Sequence, residues 1–140
     1  MAVTAAPTAP IRRNDKSRME GSGVVLTAQT GLYLHTLCVR TKAGKLRKPG
    51  NVITTRFMGM IINASKVAGE TASFAYNFEM RMPITGVVQS NVGAMMCAID
   101  NFKATVAVTG YAQIGVLTEY VSATEGYIWL RGPLFARTGA

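Results

Sequence analysis

The sequence predicts an α+β fold: four or more antiparallel strands followed by one or two helices that pack on one face of the sheet. Three patterns carry this expectation. Val24–Thr30 and Leu32–Arg40 are rich in β-branched and aromatic residues. Residues 72–83 alternate with a period of two, placing Phe74, Tyr76, Phe78, Met80 and Met82 on one face and Ser73, Ala75, Asn77, Glu79 and Arg81 on the other. Beyond Pro83 the apolar residues Val88, Val92, Met95, Met96, Ile99 and Phe102 recur at spacings of three and four, the stripe of an amphipathic helix over 88–102.

Residues 1–23 combine Ala, Pro and Thr with a charged run from Arg12 to Glu20 and end in Gly21-Ser22-Gly23, so they read as a basic, poorly ordered arm ahead of a single domain over 24–140. Gly31 separates the first two strands. Thr41–Gly50 follows as a loop, marked by its Gly and Pro, and Val52–Asn63 reads as a long strand with Met58, Met60 and Ile62 on one side and Phe57 and Ile61 on the other. The next break is 64–71, and Pro83 ends the alternating strand because it has no N–H to donate. Thr85 or Ser90 suits the cap of the following helix. Ile114, Leu117 and Val121 fit a second short helix, while Thr105–Val108 and Tyr127–Leu130 have strand character.

At 140 residues the chain has the length of one domain, and its 49% hydrophobic and 16% charged composition argues against a largely disordered chain. Its charge is distinctive. Fifteen Lys and Arg face seven Asp and Glu, a net charge of +8. Residues 1–50 carry nine basic and two acidic side chains, and residues 51–140 contribute only one further unit of the surplus. Two short patches therefore hold the positive charge, and a polyanion is the expected partner.

Other classes find less support. One histidine and two aspartates leave little acid–base machinery, so no enzyme, small-molecule substrate or cofactor is expected. Cys38 and Cys97 have apolar flanks and no neighbouring His, which fits buried reduced thiols better than a disulfide or a metal pair. No apolar run approaches the ~18 residues of a membrane span. Around Gly44-Lys45 the phosphate-loop pattern fails at Val39 and Leu46, and Gly21-Ser22-Gly23 fails as a dinucleotide fingerprint at Leu26. His35 lacks a partner in sequence, and the eight methionines fall on apolar faces as core filling.

The basic loop Lys42, Lys45, Arg47 and Lys48 is the strongest binding candidate beside the reading of solvated surface. Arg40, Arg56 and Arg81 fall on strands, so a sheet face with Arg40, Arg56, Asn77 and Arg81 offers guanidinium forks for phosphates and an amide for a base edge. That face lacks an aromatic side chain for base stacking, because Tyr76 and Phe78 take the other phase.

The segment Ala75-Tyr-Asn-Phe-Glu-Met-Arg-Met-Pro-Ile-Thr85 and the helix expected after it resemble the last strand and first helix of coat proteins from single-stranded RNA bacteriophages, the levivirus group. The resemblance covers roughly Gly23 to Ala123. It implies an N-terminal hairpin, a five-stranded antiparallel sheet, two C-terminal helices and an interlocked homodimer that assembles into an icosahedral capsid in the host cytoplasm. It further implies that Thr36, Cys38 and Arg40, and Asn77, Glu79 and Arg81, line a surface facing single-stranded RNA, with operator-hairpin repression as an associated activity. The alternatives are a non-viral basic RNA- or DNA-binding β domain and a phage tail or decoration protein.

Overall fold

A computed structural model describes residues 3–25, 31–50, 55–63 and 69–131. In chain order its strands are β1 (Arg12–Arg13), β2 (Met19–Val25), β3 (Leu37–Arg40), β4 (Lys45–Arg47), β5 (Arg56–Asn63), β6 (Thr71–Tyr76), β7 (Phe78–Pro83), β8 (Met95–Asp100), β9 (Lys103–Val106), β10 (Gln113–Ser122) and β11 (Glu125–Leu130). A 3₁₀ turn over Gln89–Asn91 is the one helical element among the described residues. The fold is therefore nearly all β, and the expected α+β fold with C-terminal helices is corrected. Residues 26–30 of the first expected strand, 52–54 of the long one and 64–68 of the break after it lie outside the described residues.

Strands β2–β6 close a small barrel in the order β2-β4-β3-β5-β6, with β6 returning to β2. The other strands form a six-stranded sheet, β1-β7-β11-β10-β8-β9. This sheet curls. A parallel bridge joins Ile84 to Ala104, and the Thr85 N–H donates to the Ala104 carbonyl at 2.9 Å, so the β9 edge meets the chain just beyond β7.

Both expected helices are replaced for physical reasons. In 88–102, Gly93 takes φ +94°, a left-handed conformation that interrupts a right-handed helix, and Met95–Asp100 become β8. Met96, Cys97 and Ala98 are all buried, and a strand buried on both faces produces an apolar run whose spacing also satisfies a helical stripe. In β10 a pairing irregularity between Gln113 and Gly115 puts Ile114 and Leu117 both in the core, so a spacing of three arises from a bulged strand. Gly115 permits this: a Cβ there would lie 1.7 Å from the Trp129 carbonyl oxygen.

The alternating segment 72–83 is two strands in different sheets. Asn77, at φ +64°, is the hinge between β6 and β7. Asparagine tolerates this left-handed conformation better than most side chains. Its N–H donates to the Leu130 carbonyl at 2.8 Å and its Nδ2 to the Ser17 carbonyl at 3.0 Å. Across the hinge the faces exchange: Phe74 fills the barrel, whereas Phe78, Met80 and Met82 enter the core shared by the two sheets. In β5 the pairing shifts opposite Cys38 and Val39, so Phe57 joins Met60 in the shared core while Met58 and Ile61 point into the barrel.

The barrel thus buries both faces of its middle strands. Val25, Cys38, Leu46, Met58, Ile61, Ala72 and Phe74 fill its interior, and Leu37, Val39, Phe57, Met60 and Ala75 pack outward against the curled sheet. Each of the fully buried Phe57, Phe74 and Phe78 contributes about 1.5–3 kcal/mol on burial.

The expected arm takes part in both sheets. Arg12–Arg13 pair with Glu79–Met80 along the β7 edge, and Met19–Gly23 pair with Ala72–Tyr76. Upstream, the Val3 N–H donates to Oδ1 of buried Asn101 at 3.0 Å, and the Asn101 Nδ2 donates back to the Val3 carbonyl at 2.9 Å. The Nδ1 of His35 lies 3.3 Å from the Pro7 carbonyl.

Candidate polyanion-binding surface

The eleven residues expected to face RNA do not share one surface. Five are occupied in the fold. Thr36 is buried, and its hydroxyl donates to the Tyr33 carbonyl at 2.7 Å, closing the turn before β3. Cys38 points into the barrel, where burial pushes its thiol pKa well above the ordinary value. The Asn77 Oδ1 accepts from the Trp129 indole N–H at 3.3 Å. Arg81 donates through Nε to Glu125.

Glu79 is the most constrained of the five. Its side chain is 5% exposed and accepts hydrogen bonds from Arg13 at 3.0 Å, from Asn14 and from the Thr118 hydroxyl. Burial alone disfavours the carboxylate, but these donors and the Arg13 charge outweigh it and hold Glu79 below the ordinary carboxylate range. Arg13 also reaches Glu119 at 2.7 Å and stacks on Tyr127 with its guanidinium carbon 3.6 Å from the ring centroid. This cluster fastens the N-terminal segment to the curled sheet. Sequence reasoning saw Glu79 but missed Arg13, Thr118 and Tyr127, because nothing local marks three distant segments that meet on one sheet face.

Of the six remaining cations, Arg40, Lys42, Lys45 and Arg56 lie at the β3–β4 hairpin end of the barrel, whereas Arg47 and Lys48 lie further along and beyond β4. The β3–β4 hairpin is built by Thr41: its N–H donates to the Lys45 carbonyl at 2.8 Å, its carbonyl accepts the Gly44 N–H at 2.9 Å, and its hydroxyl accepts the Lys45 N–H at 3.2 Å. Gly44 takes φ +86° to close the turn. Lys42 and Lys45 project from this hairpin, both exposed. Arg40 at the end of β3 is the register partner of Arg56 at the start of β5, and both are exposed. Arg47 and Lys48 are half-buried; the Arg47 Nε donates to the Lys48 carbonyl at 3.2 Å, and the Lys48 stem covers Gly31.

Among the described residues, no carboxylate forms an ion pair with Arg40, Lys42, Lys45 or Arg56. Like charges on directly opposed strand positions repel, at about 1 kcal/mol for charges 4–5 Å apart in water. A bound anion between them converts that repulsion into attraction. Guanidinium groups suit this, because each presents two parallel N–H donors to a phosphate.

Among the described residues, no three His, Cys, Asp or Glu side chains gather as a metal site, and no helix is long and apolar enough to cross a membrane. No family model, curated protein or solved structure matches the chain.

Proposed function

We propose that the chain is a structural subunit of a virus particle, a coat protein in role, which self-associates and holds single-stranded RNA through phosphate contacts at the barrel rim. The observation that carries this reading is the exposed Arg40–Arg56 cross-strand pair, flanked by Lys42 and Lys45 and without a carboxylate partner among the described residues. Binding is the whole of the chemistry. The guanidiniums release counterions as they take phosphates, so each contact is modest and salt-sensitive, and repetition over many copies makes the sum strong. RNA contact moves from the sheet face, where Glu79 and Arg81 already have partners, to the hairpin and strand ends of the barrel. Exposed Val88, Val92 and Val108 supply apolar surface for contacts between copies.

A second reading, a tail or decoration subunit that assembles without nucleic acid, is favoured by the same saturation of the sheet face. Purification of the expressed protein after nuclease treatment, with electron microscopy and absorbance at 260 nm, separates the two. Uniform particles that retain RNA, and lose most of it in the Arg40→Ala/Arg56→Ala variant, support the coat reading. Assemblies free of RNA support the second reading, and a stable monomer without affinity for RNA refutes both.

A further inference from the structure

Among the described residues, the basic rim carries exposed guanidinium and ammonium groups and no exposed aromatic ring that could stack on a base. The chain's single tryptophan, Trp129, lies elsewhere, in a depression of about 520 Å³ that it lines with Asn14, Asp15, Lys16 and Ser17. The indole is half-buried and oriented at one edge, where its N–H donates to the Asn77 Oδ1 at 3.3 Å. Asn77 also fixes the wall, because its Nδ2 donates to the Ser17 carbonyl at 3.0 Å. The other end of the same Asn14–Ser17 stretch is held by the bond from Asn14 to Glu79, and between them the Arg18 N–H donates to the Asp15 carbonyl at 3.1 Å. A lining stretch tied to the rest of the fold at both ends, with its own turn bond between, is a preformed surface.

Two charged residues of the lining, Asp15 and Lys16, are exposed, and neither forms an ion pair with another described residue. An indole, a carboxylate and an ammonium lining one depression match a planar heterocycle that carries N–H donors on its edge and an anion on its tail. A nucleotide has that combination. The base stacks on the indole, Asp15 accepts from amino and imino hydrogens, and Lys16 meets the phosphate. The volume falls within the ordinary range of ligand sites, roughly 300–1,000 Å³.

We propose that the Trp129 depression is a base-stacking subsite for one nucleotide of a single strand whose backbone runs on to the basic rim, with preference for bases bearing amino groups, guanine foremost. This rests on the nucleic-acid reading above and deepens it. β2 connects the two sites: it begins two residues after Ser17, and its Val24 is the register partner of Lys45. The seven steps from Ser17 to Val24 cover about 23 Å of extended chain, a distance that a short oligonucleotide bridges. Guanine is favoured because it presents two adjacent donors to one carboxylate, whereas uracil presents a single donor between two acceptors.

Because Trp129 is the only tryptophan, its emission reports this depression alone. The full chain, stripped of nucleic acid by nuclease and high salt, is titrated with r(GA)₄, r(U)₈ and inorganic polyphosphate, with binding followed independently by anisotropy of labelled probes. The proposal expects r(GA)₄ to quench Trp129 and bind several-fold tighter than r(U)₈, and polyphosphate to bind without quenching. Trp129→Ala weakens r(GA)₄ about tenfold, toward the lower end of a stacking loss, and leaves polyphosphate unchanged. Trp129→Phe keeps r(GA)₄ affinity within a few-fold. Asp15→Asn, at an exposed position away from the core, narrows the difference between r(GA)₄ and r(U)₈ even if the alanine variant does not fold. Binding of r(GA)₄ by anisotropy with unchanged emission overturns the subsite and leaves the rim intact. An Asp15→Asn variant with undiminished preference overturns the base contact. Failure of all three probes to bind removes the nucleic-acid reading itself.

Discussion

Replacing Glu79 by alanine removes the centre of the cluster that fastens the N-terminal segment. The carboxylate accepts from Arg13, Asn14 and Thr118, and its side chain is 5% exposed. Two of those bonds come from neutral donors and one from a guanidinium, and hydrogen bonds to a charged group are each worth about 1.5–3 kcal/mol. Arg13 is 37% exposed and keeps Glu119, so water and the second carboxylate recover part of the loss. The net expectation is about 3 kcal/mol of destabilisation, near the lower end for breaking a buried pair. Glu119 is 51% exposed, and Glu119→Ala should cost about 0.5 kcal/mol, as for a surface pair. Urea unfolding of both variants measures the difference. The Glu79 loss should persist at high salt, and amide hydrogen exchange should rise along residues 10–18. Equal effects of the two substitutions, or a Glu79→Ala protein as stable as the parent, would refute the account of how this segment is held.

The same geometry makes three further predictions. Because Glu79 is held below its ordinary value of 4.5, its contribution to stability is complete above that value and is lost as pH falls through the depressed one; urea midpoints should drop on acidification below about pH 4.5, and Glu79→Gln should flatten that part of the profile. Gly115→Ala places a Cβ 1.7 Å from the Trp129 carbonyl oxygen, so β10 and β11 must part, and a loss above about 3 kcal/mol by urea unfolding is expected. Cys38 and Cys97 are both buried with thiol pKa values raised by burial, so a thiol reagent at pH 8 should label neither in the native protein and both in denaturant; rapid native labelling would contradict the packing.

Strands were legible where apolar and polar residues alternate, as in β7, and where β-branched and aromatic residues cluster, as in β3 and β5; β8 has neither signal and misled. The alternation of apolar and polar residues seen in β7 is absent from β8: the run Met96-Cys97-Ala98 is buried throughout, and its neighbours fall by coincidence on a helical stripe. Residues 105–108 and 127–130 have the composition of strands, and Lys103–Val106 and Glu125–Leu130 form β9 and β11. The period-two segment 72–83 was right in type and wrong in continuity. Asn77 was the available signal for the break, as a residue tolerant of left-handed backbone amid otherwise regular alternation. The candidate site divides in the same way. The basic stretch Thr41–Gly50 reads as a loop from its Gly and Pro, and Lys42 does fall on the turn; Lys45–Arg47 instead form β4, because Leu46 is buried between β2 and β3, a pairing that no local signal marks. Whether Arg81 faces RNA or Glu125 depends on a partner 44 positions away, and only the strand pairing reveals it.

The central claim is that the barrel rim binds a nucleic-acid backbone through Arg40 and Arg56. The salt dependence of r(GA)₄ affinity tests it most directly, compared between the parent chain and Arg40→Ala/Arg56→Ala. Single strands change log affinity against log salt by about 0.7 for each phosphate neutralised. With two phosphate contacts removed, the account predicts weaker binding by the double variant at low salt, with a slope shallower by about 1.4. An unchanged slope and unchanged affinity would contradict it.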